Sequence, residues 1–233
     1  MNRRFAVRVP LDIAYTREAM LGVELLDAVT LERVTKGVEV IAKGIAGKPI
    51  LNHSGLFVWV KQGATKFNGL TIDPFGAPFE GVELTAAQVN LPFHSVQLHP
   101  LPSYPFAPGV TAIRGRLVES DSMPPQVPRV AIPGATIRFE WLDDDGTTWH
   151  PWQAPRVTTK TGDFTAMMRL AHGRRHTGSP PLPPKSDEPR LDAAGNLSVR
   201  VFASRANGAQ KQKTYPFPQG RVTDKSFGWD DLQ

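Results

Sequence analysis

Cysteine is absent from this chain of 233 residues. Without thiols the chain can form neither a disulfide framework nor a thiolate metal site, which is typical of proteins in a reducing compartment. Long apolar runs are also missing, since no stretch approaches the roughly 20 apolar residues of a membrane span. Arg8, Asp12 and Arg17 interrupt the apolar region that a cleavable signal peptide would need. The sequence therefore predicts a cytoplasmic protein or one within an internally assembled particle.

Catalytic and metal-binding motifs are lacking as well. The chain has no G-x-S-x-G nucleophile elbow and no phosphate-binding loop. His172 and His176 are four residues apart, but Gly173 and the prolines that follow favour solvated loop histidines over a metal site. Asp143–Gly146 lacks the alternating spacing and distal glutamate of a calcium loop, so it favours a hairpin turn. We therefore predict no enzyme activity, no cofactor and no metal site.

Positive charge is in modest excess but is not concentrated. The formal net charge is +5 and the isoelectric point is about 9.6. A basic balance can indicate nucleic acid or a membrane surface as the partner. Here the basic residues are scattered, the densest cluster is the HGRRH stretch at 172–176, and no nucleic-acid-binding motif is present. A solvated surface is favoured, and nucleic acid is an unlikely partner.

The chain is rich in residues that interrupt regular backbone structure, with 22 prolines and 20 glycines. This composition favours many short segments joined by turns over long helices. Alternating or short apolar runs predict strands at RFAVRVP, GVEVIAKG, LFVWV, GLTIDP, HSVQLHP, TAIRGRLVE, ATIRFEWL, DFTAMMRL and NLSVRVFASR. Helix formers appear only around residues 16–42, where Gly22, Gly37 and β-branched residues interrupt them, so at most one short helix or turn is expected near 16–20 or 30–35.

Two proline-rich stretches are predicted to be loops. Residues 119–129 hold three prolines, and residues 172–190 hold five, without an apolar period. The second stretch cannot bury enough surface to offset its ordering entropy, so it is expected to be mobile or in a polyproline II conformation. Its SPPLPPK segment could also be a ligand for an aromatic-lined groove, although a plain flexible loop is favoured.

Two hexapeptides raise the question of an internal repeat. NHSGLF, with Asn52, Gly55 and Phe57, and TKTGDF, with Thr159, Gly162 and Phe164, share one pattern. A small polar residue and a hydroxyl before glycine predict a turn that leads into a strand, with the phenylalanine facing the core. Each copy follows a glycine and an alternating strand and precedes a YPF tripeptide. These three anchors, in the same order, predict two copies of one β unit.

The same residues resemble the carboxypeptidase regulatory-like domain, a transthyretin-like β-sandwich of seven strands. The resemblance is carried by two sets: Gly37, Val38, Val40, Asn52, Gly55 and Phe57, and then Gly134, Ala135, Ile137, Thr159, Gly162 and Phe164. It implies an all-β fold of two tandem Ig-like or transthyretin-like sandwiches, residues 1–108 and 109–233. The second would carry the proline-rich insertion and an extended tail. The family's implied role is non-catalytic: a folding aid, spacer or interaction module.

Aromatic residues near loops and in the tail are the candidate interaction residues. Trp149 and Trp152 lie beside prolines and are expected to be exposed, whereas Trp141 lies on an alternating apolar face and is expected in the core. Phe227 and Trp229 lie in a polar tail, which is expected to dock on its own domain or on a neighbour.

These features predict a structural or interaction protein that associates with itself or with other proteins. It would be an assembly component of a particle such as a phage tail or contractile injection apparatus. The alternative is a carbohydrate-binding module that stacks sugars on Trp149 and Trp152.

Overall fold

The computed structural model describes residues 18–60, 66–120, 129–152, 155–168 and 189–233. This part of the chain is all-β, with several small sheets and only two short 3₁₀ helices, Ala86–Gln88 and Trp229–Asp231. Within those ranges no helix has the length and apolar character that a membrane crossing requires. The chain groups into two compact units, of which the first comprises residues 18–26, 32–75 and 81–97 of the described chain and the second the remainder. The predicted domain boundary at residues 108 and 109 stays a prediction.

The first unit is built on seven strands. Their bounds are β1 (Ala19–Asp27), β2 (Glu39–Lys43), β3 (Ile50–Leu51), β4 (Phe57–Val60), β5 (Gly69–Asp73), β6 (Val82–Thr85) and β7 (Phe93–Leu98). One sheet has the order β3-β4-β1-β7 and the other β2-β5-β6. Buried residues alternate along β1, where Leu21, Val23 and Leu25 are fully buried, and likewise along β2 and β4. This period of two places one face of each sheet toward a core.

The second unit contains the remaining strands. They are β8 (Thr111–Val118), β9 (Thr136–Leu142), β10 (Trp149–Pro151), β11 (Arg156–Val157), β12 (Asp163–Met168), β13 (Asn196–Ser204), β14 (Gln210–Pro218) and β15 (Val222–Gly228). One sheet has the order β12-β8-β15; the other has the order β10-β9-β13-β14, with β11 also paired to β9. One apolar cluster takes side chains from both sheets, among them Ile113, Phe139, Phe164, Val201 and Phe227. The core of this unit therefore lies between its two sheets.

The strand pairings of the first unit recur in the second. β1 pairs antiparallel with β4 as β8 does with β12, and β2-β5-β6 matches β9-β13-β14, antiparallel throughout. The last strand, β15, is parallel to β8. β7 neighbours β1, and the Gly22 and Ala28 amides donate to Pro92 and Leu98. Residue numbers increase together along the donor and the acceptor strand, so β1 and β7 are also parallel.

β1 corrects one expectation, because the helix formers around residues 19–27 lie in a strand. The sequence AMLGVELLD places Leu21, Val23 and Leu25 two residues apart, and burial of that row on the sheet outweighs the helical propensity of the individual residues. A turn follows at residues 28–30, and residues 30–35 contain no helix. The position of the turn is set by Asp27, whose Oδ1 accepts a 2.6 Å hydrogen bond from the Val29 amide.

Both hexapeptides form the same turn. In the first, the Gly55 amide donates to the Asn52 carbonyl at 3.0 Å and the Leu56 amide donates to Asn52 Oδ1 at 2.8 Å. In the second, the Gly162 amide donates to the Thr159 carbonyl at 2.9 Å and the Asp163 amide to Thr159 Oγ1 at 3.1 Å. Both glycines have positive φ, 77° and 75°, which explains their presence. Phe57 and Phe164 follow and are buried.

The turn itself is not peculiar to the two hexapeptides. At DAAGNL the Gly195 amide donates to the Asp192 carbonyl at 3.0 Å, and the Asn196 amide donates to Asp192 Oδ1 at 2.8 Å. Gly195 also has a positive φ, 76°. At these three places a short polar side chain, two further residues and a glycine form the same loop ahead of a strand. The hexapeptide match reports a common turn, so any evidence for a repeat has to come from the strand pairings.

The YPF anchor of the predicted repeat does not hold in the structure. Tyr215 lies on β14, whereas Tyr104 lies in an irregular segment between β7 and β8. Within the second unit Tyr104 is buried, and its hydroxyl donates to Asp27 Oδ2 at 2.5 Å while its carbonyl accepts from Arg114. The two tyrosines therefore have different structural roles, and the tripeptide is a coincidence of sequence.

Several sequence predictions fall outside the described residues. They are the strand at RFAVRVP, the HGRRH histidines, and most of the two proline-rich loops, 119–129 and 172–190.

Candidate interaction surface

The β9–β10 hairpin presents the surface with the most interaction-prone chemistry. The Asp-Gly pair predicts this hairpin, and β9 and β10 do pair antiparallel. Asp145 closes its turn, accepting hydrogen bonds from the Thr147 and Thr148 amides at 2.7 and 2.8 Å. Hydrogen bonds from Thr148 hold the pKa of Asp145 well below its usual range. The hairpin is thereby fixed by local side-chain to backbone bonds.

The second support of the hairpin is a histidine that packs inward. His150 stacks on Trp141 at 4.5 Å between ring centroids, and its Nε2 lies 2.8 Å from Asp143 Oδ2. Asp143 is fully buried, and the hydrogen bond with His150 lowers its pKa. Because successive residues of a strand face opposite sides, anchoring His150 inward directs Trp149 outward.

Trp149 belongs to a group of stacked side chains on the outer face of the sheet. The guanidinium carbon of Arg200 lies 3.9 Å from the centroid of Trp149 and 5.9 Å from that of Phe202. The guanidinium of Arg138 covers Phe202 at 4.4 Å. Glu140 lies between the two arginines, 3.5 Å from Arg200 and 3.9 Å from Arg138. We call these five residues, Arg138, Glu140, Trp149, Arg200 and Phe202, the arginine–aromatic face.

Strand register explains why these residues meet. Arg200 is opposite Glu140 and Phe202 is opposite Arg138 across the β13–β9 pair. Directly opposed residues of antiparallel strands lie close enough for their side chains to interact. Their neighbours on the inward phase, Ile137, Phe139 and Val201, are buried in the core. The core therefore holds the strands in register, and the outer side chains take their places from it.

The face is accessible and carries a positive charge. Side-chain exposure is 50% for Arg138, 30% for Arg200 and 20% for Glu140, and Trp149 and Phe202 are partly exposed. Two arginines and one glutamate give a net charge of +1. The other outward residues of β9, β13 and β14 are uncharged: Thr136, Leu142, Asn196, Ser198, Ser204, Gln210, Gln212, Thr214, Pro216 and Pro218. Tryptophan, arginine and phenylalanine at one exposed place are the composition of an interface centre.

Of the four aromatics proposed for interaction, Trp149 alone keeps part of its surface exposed. Trp152 is 3% exposed and packs on Phe139 at 5.5 Å, so the expectation of an exposed Trp152 is wrong. Its backbone amide donates to the Phe139 carbonyl, which holds the residue against the core despite the neighbouring prolines. Phe227 and Trp229 are also buried, at 1% and 8%.

The tail docks on its own unit. β15 pairs with β8 along its whole length and sets Phe227 opposite Leu117, so Phe227 faces the core. Trp229 follows, and its ring is covered by the guanidinium of Arg205 at 4.1 Å. The sequence left open whether the tail docks on its own domain or on a neighbour, and the structure places it on its own. Burial of these aromatics leaves them no surface for a partner.

Metal sites are not formed by the described residues, in which no group of three or more His, Asp or Glu is arranged to hold an ion.

Arg200 and Phe202 were missed as site residues by the sequence reasoning. The signal that could have found them is their phase: in NLSVRVFASR the apolar residues Leu197, Val199 and Val201 alternate, and Phe202 falls on the polar phase.

Comparison with known proteins yields little. No protein family model and no curated protein matches the chain. Among solved structures, the Bacillus anthracis TIE protein is similar at 9% sequence identity and a TM-score of 0.26. The match covers 91% of this chain and 34% of that one, so this chain spans about a third of the length of that structure. A TM-score of this size carries no argument about fold or function.

Proposed function

We propose that this protein is a non-catalytic interaction component of a larger assembly and that it contacts its partner through the arginine–aromatic face. The observation that carries the proposal is the stack of Trp149, Arg200, Phe202 and Arg138 on an exposed sheet face. Each guanidinium is already held against a ring, so little side-chain entropy remains to be lost on binding. Preordered tryptophan and arginine side chains are the groups that contribute most at protein interfaces.

We further propose that the chain consists of two tandem transthyretin-like sandwiches, with domain boundaries at residues 1–108 and 109–233. The support is the recurrence of the strand pairings, including the parallel pair between the first and last strand of each unit. Seven strands in the first unit agree with the number that the family resemblance implies. By analogy with other tandem β modules, the assembly would be a particle such as a phage tail or contractile injection apparatus.

The carbohydrate alternative loses its motivation because it required Trp149 and Trp152 together as a stacking platform. Trp152 is in the core, so the second ring of that platform is missing. No observation on the described residues favours sugar binding over a protein contact, so a protein contact is the role that we propose.

The test is light scattering coupled to size-exclusion chromatography. The purified chain is measured over a concentration series, alone and mixed with each product of the genes adjacent to its own. We expect a complex heavier than the monomer that Trp149→Ala and Phe202→Ala weaken by about tenfold or more, the usual cost of a central interface residue. The matched control is Phe75→Ala, because Phe75 is 81% exposed and lies in the first unit. Complexes that are lost in the control and kept in the Trp149 variant would refute the proposal.

A further inference from the structure

The guanidinium groups of the arginine–aromatic face retain unused hydrogen-bond donors. A guanidinium has five N–H donors. Among the described residues, the Arg200 side chain makes one hydrogen bond, which it donates to Glu140 at 3.5 Å. Arg138 approaches the same carboxylate only to 3.9 Å, which is beyond hydrogen-bond distance. Contacts with the rings of Phe202 and Trp149, at 4.4 and 3.9 Å, limit the positions that the two guanidinium groups can take.

The single carboxylate of Glu140 does not neutralise this pair of arginines. Net charge on the face is +1, and the outward residues around it on β9, β13 and β14 carry no acid. Guanidinium groups bind carboxylates bidentately, through two parallel hydrogen bonds, and this geometry is more specific than the attraction to a point charge. Aromatic rings beside the arginines supply apolar contact for a neighbouring side chain.

We propose that the arginine–aromatic face binds an acidic protein segment, with a carboxylate of the segment accepting hydrogen bonds from Arg200 and Arg138 and an adjacent apolar residue packing on Trp149. This inference rests on the proposed function and names the chemistry of its partner. Glu140 has a defined part in it: the carboxylate attracts both arginines in the free protein and competes with the incoming acid. Acidic segments are thereby selected, while neutral ones leave the guanidinium donors unpaired.

The experiment is a titration of the full chain with a capped peptide, Ser-Glu-Phe-Glu-Ser, followed by ¹H–¹⁵N NMR at low and high salt. The indole N–H signal of Trp149 is assigned by its loss in Trp149→Phe. We expect saturable shifts of that signal, weakened by salt, and no binding of the glutamine counterpart Ser-Gln-Phe-Gln-Ser. Removing both charges in the double variant R138Q/R200Q should lower affinity by about tenfold or more, as expected for the loss of charge-assisted hydrogen bonds.

Two further variants separate recognition from folding and from bulk charge. Glu140→Gln raises the face from +1 to +2, and we expect it to increase peptide affinity by about threefold or more, a gain that misfolding cannot produce. The double variant K160Q/R221Q removes the same charge from exposed loop positions outside the face, and it should bind as the wild type does.

Oligothymidylate, titrated in the same way, serves as a nucleic-acid probe. Four results would overturn the inference: equal binding of the glutamine peptide, unchanged binding by R138Q/R200Q, equal loss in K160Q/R221Q, or tight binding of oligothymidylate without binding of the peptide. If assembly depends on Trp149 and Phe202 but the acidic peptide does not bind, the proposed function stands and this inference is refuted. Assembly that is insensitive to both residues would refute the proposed function itself.

Discussion

Replacing Gly115 by alanine should destabilise the second unit, because Phe164, the phenylalanine of the TKTGDF turn, lies directly over it. The two residues are opposite each other across the β8–β12 pair. A Cβ at Gly115 would be 2.0, 2.4 and 2.6 Å from the Cζ, Cε2 and Cε1 atoms of the Phe164 ring. Phe164 is 1% exposed and is bounded by Phe139 at 5.8 Å and Phe227 at 5.7 Å. The ring therefore cannot move aside without displacing two other aromatic side chains.

The expected cost of Gly115→Ala follows from this geometry. Overpacking a dense core destabilises a protein by about 1–3 kcal/mol, and three atoms at sub-van der Waals distance place this site near 3 kcal/mol. Replacing glycine by alanine in a strand gives back about 0.5–1 kcal/mol through the unfolded chain, so we expect a net loss of about 2–2.5 kcal/mol. Urea unfolding followed by circular dichroism measures it.

A double-mutant cycle tests the cause. Phe164→Leu removes the far ring atoms that would clash, and in that background Gly115→Ala should cost less than about 0.5 kcal/mol, giving a coupling energy of about 2 kcal/mol. The matched control is Gly22→Ala on β1, where the nearest atom to the new Cβ is 3.6 Å away, so the change should be neutral or stabilising by up to about 1 kcal/mol. Overpacking against Phe164 is refuted as the cause if Gly115→Ala costs the same in both backgrounds or no more than Gly22→Ala.

Three other predictions concern charged groups of the second unit. Arg156, with a side chain only 6% exposed, pairs with Glu80; Glu80→Ala should cost about 3 kcal/mol in urea unfolding, whereas the double variant E80A/R156M should recover most of it. Burial and Arg156 lower the pKa of His99 to about 4; since the unfolded value is near 6.5, stability should fall as pH drops from about 6.5 to 4. Burial raises the pKa of Glu80, which acts with the opposite sign, so thermal melts of His99→Gln against wild type isolate the histidine. Trp149→Ala should cost only about 1 kcal/mol, the size of an exposed cation–π contact, with no loss of sheet signal in circular dichroism.

The strands were largely predictable from the sequence because their signal is local. Ile137, Phe139 and Trp141 alternate with Arg138 and Glu140, and the structure buries the first three. The turns were equally predictable, since a short polar side chain followed closely by a glycine favours a turn over a continued strand or helix. The all-β class follows from such local patterns.

What the sequence did not reveal depends on distant pairing. Phe227 faces the core because β15 pairs with β8, whose residues lie about 110 positions earlier in the chain. β14 reads QKQKTYPFP, with lysines that suit the edge of a sheet, and so it showed no apolar period. The arginine–aromatic face likewise needs three strands in register before Arg200 can lie over Trp149. A single segment cannot show which side chains its neighbours will bring.

The proposed function rests on one exposed surface, and hydroxyl-radical footprinting with mass spectrometry measures that surface directly. The free chain and its assembled complex are oxidised under the same conditions, and side-chain modification is compared at Trp149, Phe202 and the control residue Phe75. We expect Trp149 and Phe202 to be modified in the free chain and protected in the complex, while Phe75 stays reactive in both. Protection of Phe75 with unchanged modification of Trp149 and Phe202 would contradict the proposed function.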